Sequence, residues 1–482
     1  MSAPARWFGP ALAGVALITL TRLLALAFNR TDLFVDEAQY WLWGQRLDFG
    51  YYSKPPLIGW LIGGVTSLVG SDAAFWVRMP GAVLHGATGL ILGAAAARLA
   101  SPRAAFWVAL SYVTLPFATV GGLLISTDTV MAPAFAMGLF FWLRLCEDRR
   151  PLSAILAGLA VGLAFLAKYA AVYFLLGAGL GALMVPAMRV GWRNGALFLG
   201  AFTLVAAPNI IWNLTHDLTT VSHTLDNVGW VRQEEATSRL DLGRGMGFVL
   251  GQFAVFGPFL FLALPPALLA VWRQGGLARG LIFFSLPALL IVTLQATLDK
   301  AYANWAVSAY FAATLLVVPW LLGRAPRVLQ AGFALNAVLA VALPLLTITA
   351  PWPDRAGKPL MQRYLGQEAL SAAIIAAARD NGASAVYAAD RGLLSSLFYY
   401  GRDSGLTFYA PRPIGRPQNY FEQTFPLPDA PQPETLYILA EQPVCGGVAL
   451  APVVLFDTNR TAFAKWSYAG YRIPQGCADA LP

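Results

Sequence analysis

Between residues 8 and 350 the chain is a succession of long apolar runs separated by polar loops. A helix of about 20 apolar residues crosses a hydrocarbon core of about 30 Å, so runs of this length constrain the fold more than any other feature. They lie at 8–28, 81–99, 104–124, 130–145, 195–212, 246–272, 281–298, 303–322 and 328–350, with a further 37-residue stretch, 152–188, long enough for two crossings. The pattern predicts eleven transmembrane helices. The first run is too long for a removed signal peptide and lacks its small-residue cleavage site. A composition of 57% hydrophobic and only 12% charged residues, with a mean hydropathy of +0.59, excludes an ordinary soluble domain.

The formal charge of +8 and pI near 9.4 raise the question of a nucleic-acid partner. The distribution of charge answers it. The five loops expected inside carry Arg98, Arg103, Arg144, Arg149, Arg150, Arg189, Arg193, Arg273, Arg279, Arg324 and Arg327, eleven basic residues against the two acids Glu147 and Asp148. The outer loops are richer in acids than in bases. By the positive-inside rule the N-terminus is cytoplasmic, and the basic excess records orientation rather than nucleic-acid binding.

The loop at 29–79 is long and opens on Asp36-Glu37, followed by Tyr40, Trp41, Trp43, Tyr51, Tyr52 and then Lys54-Pro55-Pro56. Two adjacent carboxylates at the mouth of a membrane helix are costly unless they meet water, a cation or a substrate. The aromatic rings suit a membrane interface and also stack on sugars or isoprenoid chains, so an aromatic belt with one solvated acidic pair is the bland alternative. Residues 57–69 are too few to span and predict a helix lying along the interface. Arg22 falls six residues inside the outer end of the first run, about 9 Å deep at about 1.5 Å per residue. There it either snorkels or points into the same cavity as Asp36.

The string DEAQYWLWGQRLDFGYYSKPPLIGWL resembles the first periplasmic loop of the polyprenyl-phosphate-sugar-dependent glycosyltransferases of the GT-C fold. That superfamily includes the bacterial relatives of protein O-mannosyltransferases, the lipid A aminoarabinose transferases and the rhizobial core galacturonosyltransferases. Asp128, in a short polar turn between the third and fourth runs, resembles its second acidic position, although Ser126-Thr127-Asp128 also reads as a helix N-cap. Ser53 stands where the aminoarabinose transferases have an acid before Lys-Pro-Pro, which weakens any transfer of that group's substrate or metal chemistry.

The resemblance implies transfer of a sugar from a polyprenyl-phosphate carrier to a lipid, glycan or protein acceptor on the outer face of a bacterial inner membrane. The phosphate is already a good leaving group, so the reaction needs positive charge on it and a base for the acceptor hydroxyl. Asp36 matches the family's first acidic residue and is the expected base. Asp128 and Glu37 are expected to orient donor or acceptor, with Tyr40, Tyr51 and Tyr52 as binding surfaces. Lys54 is the expected phosphate contact, with Arg22, Arg78 and Lys168 as further candidates; Lys168 falls where the fifth and sixth helices should meet outside. Single-step displacement predicts inversion at the anomeric carbon. No cofactor is required by this chemistry. In the outer loop at 213–245, which also holds Glu234-Glu235, His216 and His223 are seven residues apart and lack the dense spacing of a dedicated metal site.

Beyond residue 350 the sequence turns soluble, and an odd number of spans places it in the periplasm. Helical periodicity at 365–379 and 393–400, with β-rich runs at 384–389, 406–409, 435–439, 448–456 and 463–473, predicts a small α/β domain over 351–482, interrupted by a proline-rich loop at 411–433. Cys445 and Cys477 both fall in this oxidising compartment and are a candidate disulfide, while Cys146 falls inside. A transporter or flippase of lipid-linked sugars is the alternative function. It predicts internal repeats and charges at mid-membrane on discontinuous helices. The sequence shows no internal repeat, and its notable charges cluster at outer helix ends.

Overall fold

Each apolar run folds as helix, because only there can the backbone satisfy its own polar groups in lipid. The computed structural model describes residues 7–227, 240–429, 434–474 and 477, and Glu234-Glu235 lie outside the described residues. The first part comprises α1 Phe8–Ala27, α2 Val35–Gly44, α3 Leu57–Val69, α4 Ala74–Leu99, α5 Pro102–Thr114, α6 Pro116–Gly121, α7 Thr127–Asp148, α8 Pro151–Ala167 and α9 Val172–Met184. It continues through α10 Trp192–Thr215, α11 Thr219–Asn227, α12 Leu242–Phe256, α13 Pro258–Gln274, α14 Gly276–Leu298, α15 Ser308–Arg324 and α16 Pro326–Thr349.

Among the described residues six helices, α1, α4, α7, α10, α14 and α16, are singly long and apolar enough to cross a membrane. The chain is a multi-pass helical membrane protein. The run at 246–272 is not one straight span: α12 and α13 meet at 108°. Gly257 at the junction has φ +85°, and Pro258 behind it has no N–H to continue the α12 ladder. The run at 104–124 also breaks, where Leu115 takes an extended ψ of 141° ahead of Pro116. The short helix expected at 57–69 is α3.

After residue 350 the chain builds a five-stranded sheet with α17 Gln367–Asp380, α18 Arg391–Tyr400 and α19 Tyr420–Thr424. Its spatial order is Thr407–Tyr409, Ala385–Ala388, Thr435–Leu439, Ala469–Tyr471, Val454–Leu455. The first three strands are parallel, with Val386 opposite Phe408 on one side and Leu436 on the other, and the last two pair antiparallel. The runs expected at 448–456 and 463–473 shorten to Val448–Ala449, Val454–Leu455 and Ala469–Tyr471, and α19 forms within the proline-rich loop. Cys445 and Cys477 are disulfide-bonded, with Cα atoms 5.5 Å apart. Cys146 is a buried free thiol.

This tail is not a loose appendage. Its buried residues join those of the helical part in one apolar cluster running from Trp7 to Tyr468. α18 packs on α2: the Tyr400 hydroxyl accepts from the Leu33 amide at 2.8 Å, and Trp41 meets Tyr399 edge to face at 5.0 Å. Asp32 in turn accepts the Gln367 amide at the start of α17, at 2.8 Å.

Candidate active site

α2 begins within the first loop, and its 3.6-residue period puts Asp36 and Gln39 on one face, three residues apart. That face meets the tail. Asp390 caps α18 by accepting from the Leu393 amide at 2.8 Å, which fixes Arg391 as the first helical residue. Arg391 then donates from Nη2 to Asp36 Oδ1 at 2.6 Å and from Nε to Gln39 Oε1 at 2.8 Å. The Asp36 side chain remains 42% exposed, so its second oxygen can meet a ligand.

Asp128 arrives from another direction. Ser126 is the N-cap of α7, accepting from the Thr129 amide at 3.3 Å, so the Asp128 carboxylate is not consumed as a cap. Both its oxygens receive Lys168 Nζ, at 2.7 and 2.8 Å, and Oδ2 also accepts from Asn304 Nδ2 at 3.0 Å. Lys168 sits in extended conformation where α8 ends, and Asn304 lies in the turn Ala303–Ala306 before α15.

Lys54 is within electrostatic reach of both clusters. Its ammonium feels Lys168, Asp36, Arg391 and Asp128, yet among the described residues it has no hydrogen-bonded partner. Burial first, and the neighbouring Lys168 second, lower its pKa from the ordinary lysine value to about 8. Five segments distant in sequence thus bring two carboxylates and three cations together. Tyr40, buried beside them, is within electrostatic reach of Asp36, Arg391 and Asp128, and burial followed by Asp36 raises its pKa.

Glu37 turns the other way. It is fully buried and accepts from Arg78 Nε at 3.0 and 3.1 Å and from Arg78 Nη2 at 2.7 Å. Its Oε2 also accepts from the Phe34 amide and its Oε1 from the Ile125 amide, each at 3.0 Å. Arg78 spends its other donors on Thr31 and the Asp32 carbonyl. Arg22 is also buried, donating to the Val113 carbonyl and, at 3.0 Å, to Thr119. Neither arginine joins the cluster around Lys54.

Tyr51 stacks on Trp43 at 4.6 Å and donates to the Trp43 carbonyl at 2.8 Å, and Tyr52 donates to the Pro417 carbonyl at 2.8 Å. Both tyrosines shape the loop from within. His216 stacks on Trp212 and His223 lies against Tyr52. Among the described residues no three His, Cys, Asp or Glu side chains converge as a metal site would require. Arg391 and Asn304 are not among the residues expected from the sequence. Asn304 lies in the polar stretch 299–305, beside Trp305, whereas nothing local marks Arg391.

Residues 53–212 match the family model described as dolichyl-phosphate-mannose-protein mannosyltransferase. The chain is also 40% identical over 422 residues to the lipid A galacturonosyltransferase RgtD of Rhizobium johnstonii, covering 85% of this chain and 86% of that one. It belongs to the GT-C glycosyltransferases. The fold of this glycosyltransferase is similar to that of ArnT from Cupriavidus metallidurans, solved bound to undecaprenyl phosphate. That match has a TM-score of 0.56 at 16% identity and covers 82% of this chain and 75% of the other. The apo form of the same ArnT matches with a TM-score of 0.50.

Proposed function

We propose that this enzyme moves a sugar from a polyprenyl-phosphate carrier to an acceptor hydroxyl on the periplasmic face of a bacterial inner membrane, with inversion. The observation that carries the proposal is the convergence of Asp36, Asp128, Lys168 and Arg391 around Lys54, a cation with no hydrogen-bonded partner among the described residues. Three cations against two carboxylates leave one positive charge, which suits a phosphodiester. In the proposed step Asp36 takes the acceptor proton as the acceptor oxygen attacks the anomeric carbon. The bond from that carbon to the phosphate oxygen breaks, and polyprenyl phosphate departs with the electron pair. Lys54 and Lys168 neutralise the phosphate, Asp128 holds Lys168 in place, and Arg391 orients Asp36. Lys54, Lys168 and Arg391 supply the positive charge of the site.

Glu37 and Arg78 are assigned a positioning role rather than a substrate contact, and Tyr40 lines the site. Eleven spans with a cytoplasmic N-terminus are consistent with the positive-inside distribution. On this topology residues 1–350, with the loop at 29–79, form the transferase part, and residues 351–482 form a periplasmic α/β domain that contributes Arg391. Lipid, glycan and protein hydroxyls are all acceptors this chemistry can serve. The 40% identical relative makes lipid A, with galacturonic acid as the sugar, the pair to test first.

Purified enzyme in liposomes, supplied with polyprenyl-phosphate galacturonate and lipid A, should yield lipid A heavier by one uronate and an equal amount of free polyprenyl phosphate. Envelope lipids of a deletion strain should lack the same mass. Unchanged envelope lipids and glycans in that strain, together with no consumption of polyprenyl-phosphate sugars in vitro, would overturn the proposal.

A further inference from the structure

Packed among α1, α4, α5, α6 and α7 is a second polar assembly that the reaction does not use directly. A buried arginine in a membrane helix is expensive unless its donors are met, and Arg22 is 1% exposed. Its Nη2 reaches the Val113 carbonyl in the last turn of α5 and Thr119 Oγ1 in α6. The helix ends there because Leu115 turns extended ahead of Pro116, which takes the following amides away from the last α5 carbonyls, and a cation at a helix C-terminus is favoured by the helix dipole. Arg22 therefore stabilises the break between α5 and α6. Its Nε and Nη1 have no protein partner among the described residues, which leaves donors for buried water.

The break leads into the turn that carries Asp128. His85 on α4, 1% exposed, lies 3.0 Å from the Tyr112 hydroxyl through Nδ1 and 3.2 Å from Thr129 Oγ1 through Nε2. Thr129 Oγ1 is also 3.2 Å from Ser126 Oγ, the α7 cap, and 3.4 Å from the Gly121 carbonyl. A Cβ on Gly121 would fall 2.3 Å from His85 Nε2 and 2.6 Å from Thr129 Oγ1, and one on Gly122 would fall 2.9 Å from Arg22 Cδ. Gly121 lets the end of α6 close onto His85 and Thr129, and Gly122, just beyond it, leaves room for Arg22. Thr127 and Asp128 lie between the Ser126 cap and Thr129, so the contacts of Ser126 and Thr129 hold the first turn of α7 on both sides of Asp128.

We propose that Arg22, His85 and Thr129 are positioning residues that set the rotation of the first turn of α7, and with it the aim of Asp128 at Lys168. The inference rests on the role given to Asp128 above. Thr129→Val keeps the shape and removes the hydroxyl; a displaced reacting group costs up to about a hundredfold in rate, and a loss of about tenfold in kcat per folded enzyme is expected. Combined with Asp128→Asn it should cost no more than Asp128→Asn alone, since both act through one carboxylate. Arg22→Lys should recover part of the kcat lost in Arg22→Met. His85→Gln serves as the second probe if Thr129→Val does not fold, and folded enzyme is counted by size-exclusion chromatography.

Factors that multiply in the double variant, or full kcat in folded Thr129→Val and His85→Gln, would overturn the assembly while leaving the function intact. Full activity in Asp128→Asn would instead remove the role of Asp128 on which the assembly depends.

Discussion

Arg391 Nη2 lies 2.6 Å from Asp36 Oδ1, joining residues 355 apart in the chain. The carboxylate expected to act as base is thus held by a side chain from the far end of the protein. The same guanidinium donates to Gln39, so it fixes both the position and the rotation of α2. Arg391→Ala should lower kcat by about ten- to a hundredfold, the scale of loss when a reacting group is displaced. Arg391→Lys should recover little, because a lysine cannot make the fork to Asp36 and Gln39 together. Steady-state rates on purified variants check both, and equal rates for wild type and Arg391→Ala would exclude the tail from the reaction.

Asp36→Asn keeps the size of the side chain but cannot accept a proton. Loss of a general base typically costs a factor of about 10² to 10⁴, and transfer should fall by that much with donor binding retained. Product analysis should find the inverted anomer and no sugar bound covalently to the enzyme. A trapped glycosyl-enzyme adduct would contradict single-step displacement.

The lowered pKa of Lys54, about 8, gives a pH dependence with a definite sign. Below that value the ammonium is charged and available to the phosphate; above it the free enzyme loses the charge. Donor KM should be flat near pH 7 and climb above pH 8, approaching about tenfold per pH unit if binding requires the charged form. Lys54→Ala should raise KM at pH 7, lower kcat and abolish this climb. A climb that persists in Lys54→Ala would assign the titration elsewhere.

Orientation has its own measurement. Alkaline phosphatase fused after Ala350 should be active, and fusions at Arg149 or Arg273 should be silent, since only the periplasm supports that enzyme's disulfides. The opposite pattern would place Asp36 and the tail in the cytoplasm.

Much of the site was legible because it is local. Asp36, Lys54 and the helix Leu57–Val69 lie in one loop with a recognisable pattern, and Lys168 was marked by its place inside a run too long for a single span. Arg391 was not, because a contact across 355 residues leaves no period or spacing in the sequence around it. Asn304 lies in a polar stretch beside Trp305, but nothing local says that it reaches Asp128 across 176 residues. The bend between α12 and α13 did carry a signal, Gly257-Pro258, but the apolar residues on both sides made the stretch read as one span. The adjacent carboxylates look equivalent in sequence. Only the fold separates the half-exposed Asp36 from the buried Glu37.

That separation predicts different behaviour for the second carboxylate. Glu37 ties the start of α2, through the Phe34 amide, to Arg78 on α4 and to the Ile125 amide three residues before Asp128. Each oxygen receives more than one donor, so the ionised form is satisfied despite full burial. Glu37→Gln would place an NH₂ where an amide N–H and a guanidinium already donate, leaving Arg78 buried and underpaired. Removing one partner of a buried pair costs about 3–5 kcal/mol, so the variant should melt at a clearly lower temperature and lose activity in proportion to the enzyme that unfolds or shifts. Replacing both partners, Glu37→Leu with Arg78→Met, should restore much of the stability, because an apolar pair of similar volume avoids the desolvation cost. It should not restore the full rate, since the link from Glu37 to Ile125, which holds the approach to Asp128 against α2, is gone. An unchanged melting temperature in Glu37→Gln together with a raised donor KM would make Glu37 a substrate contact instead.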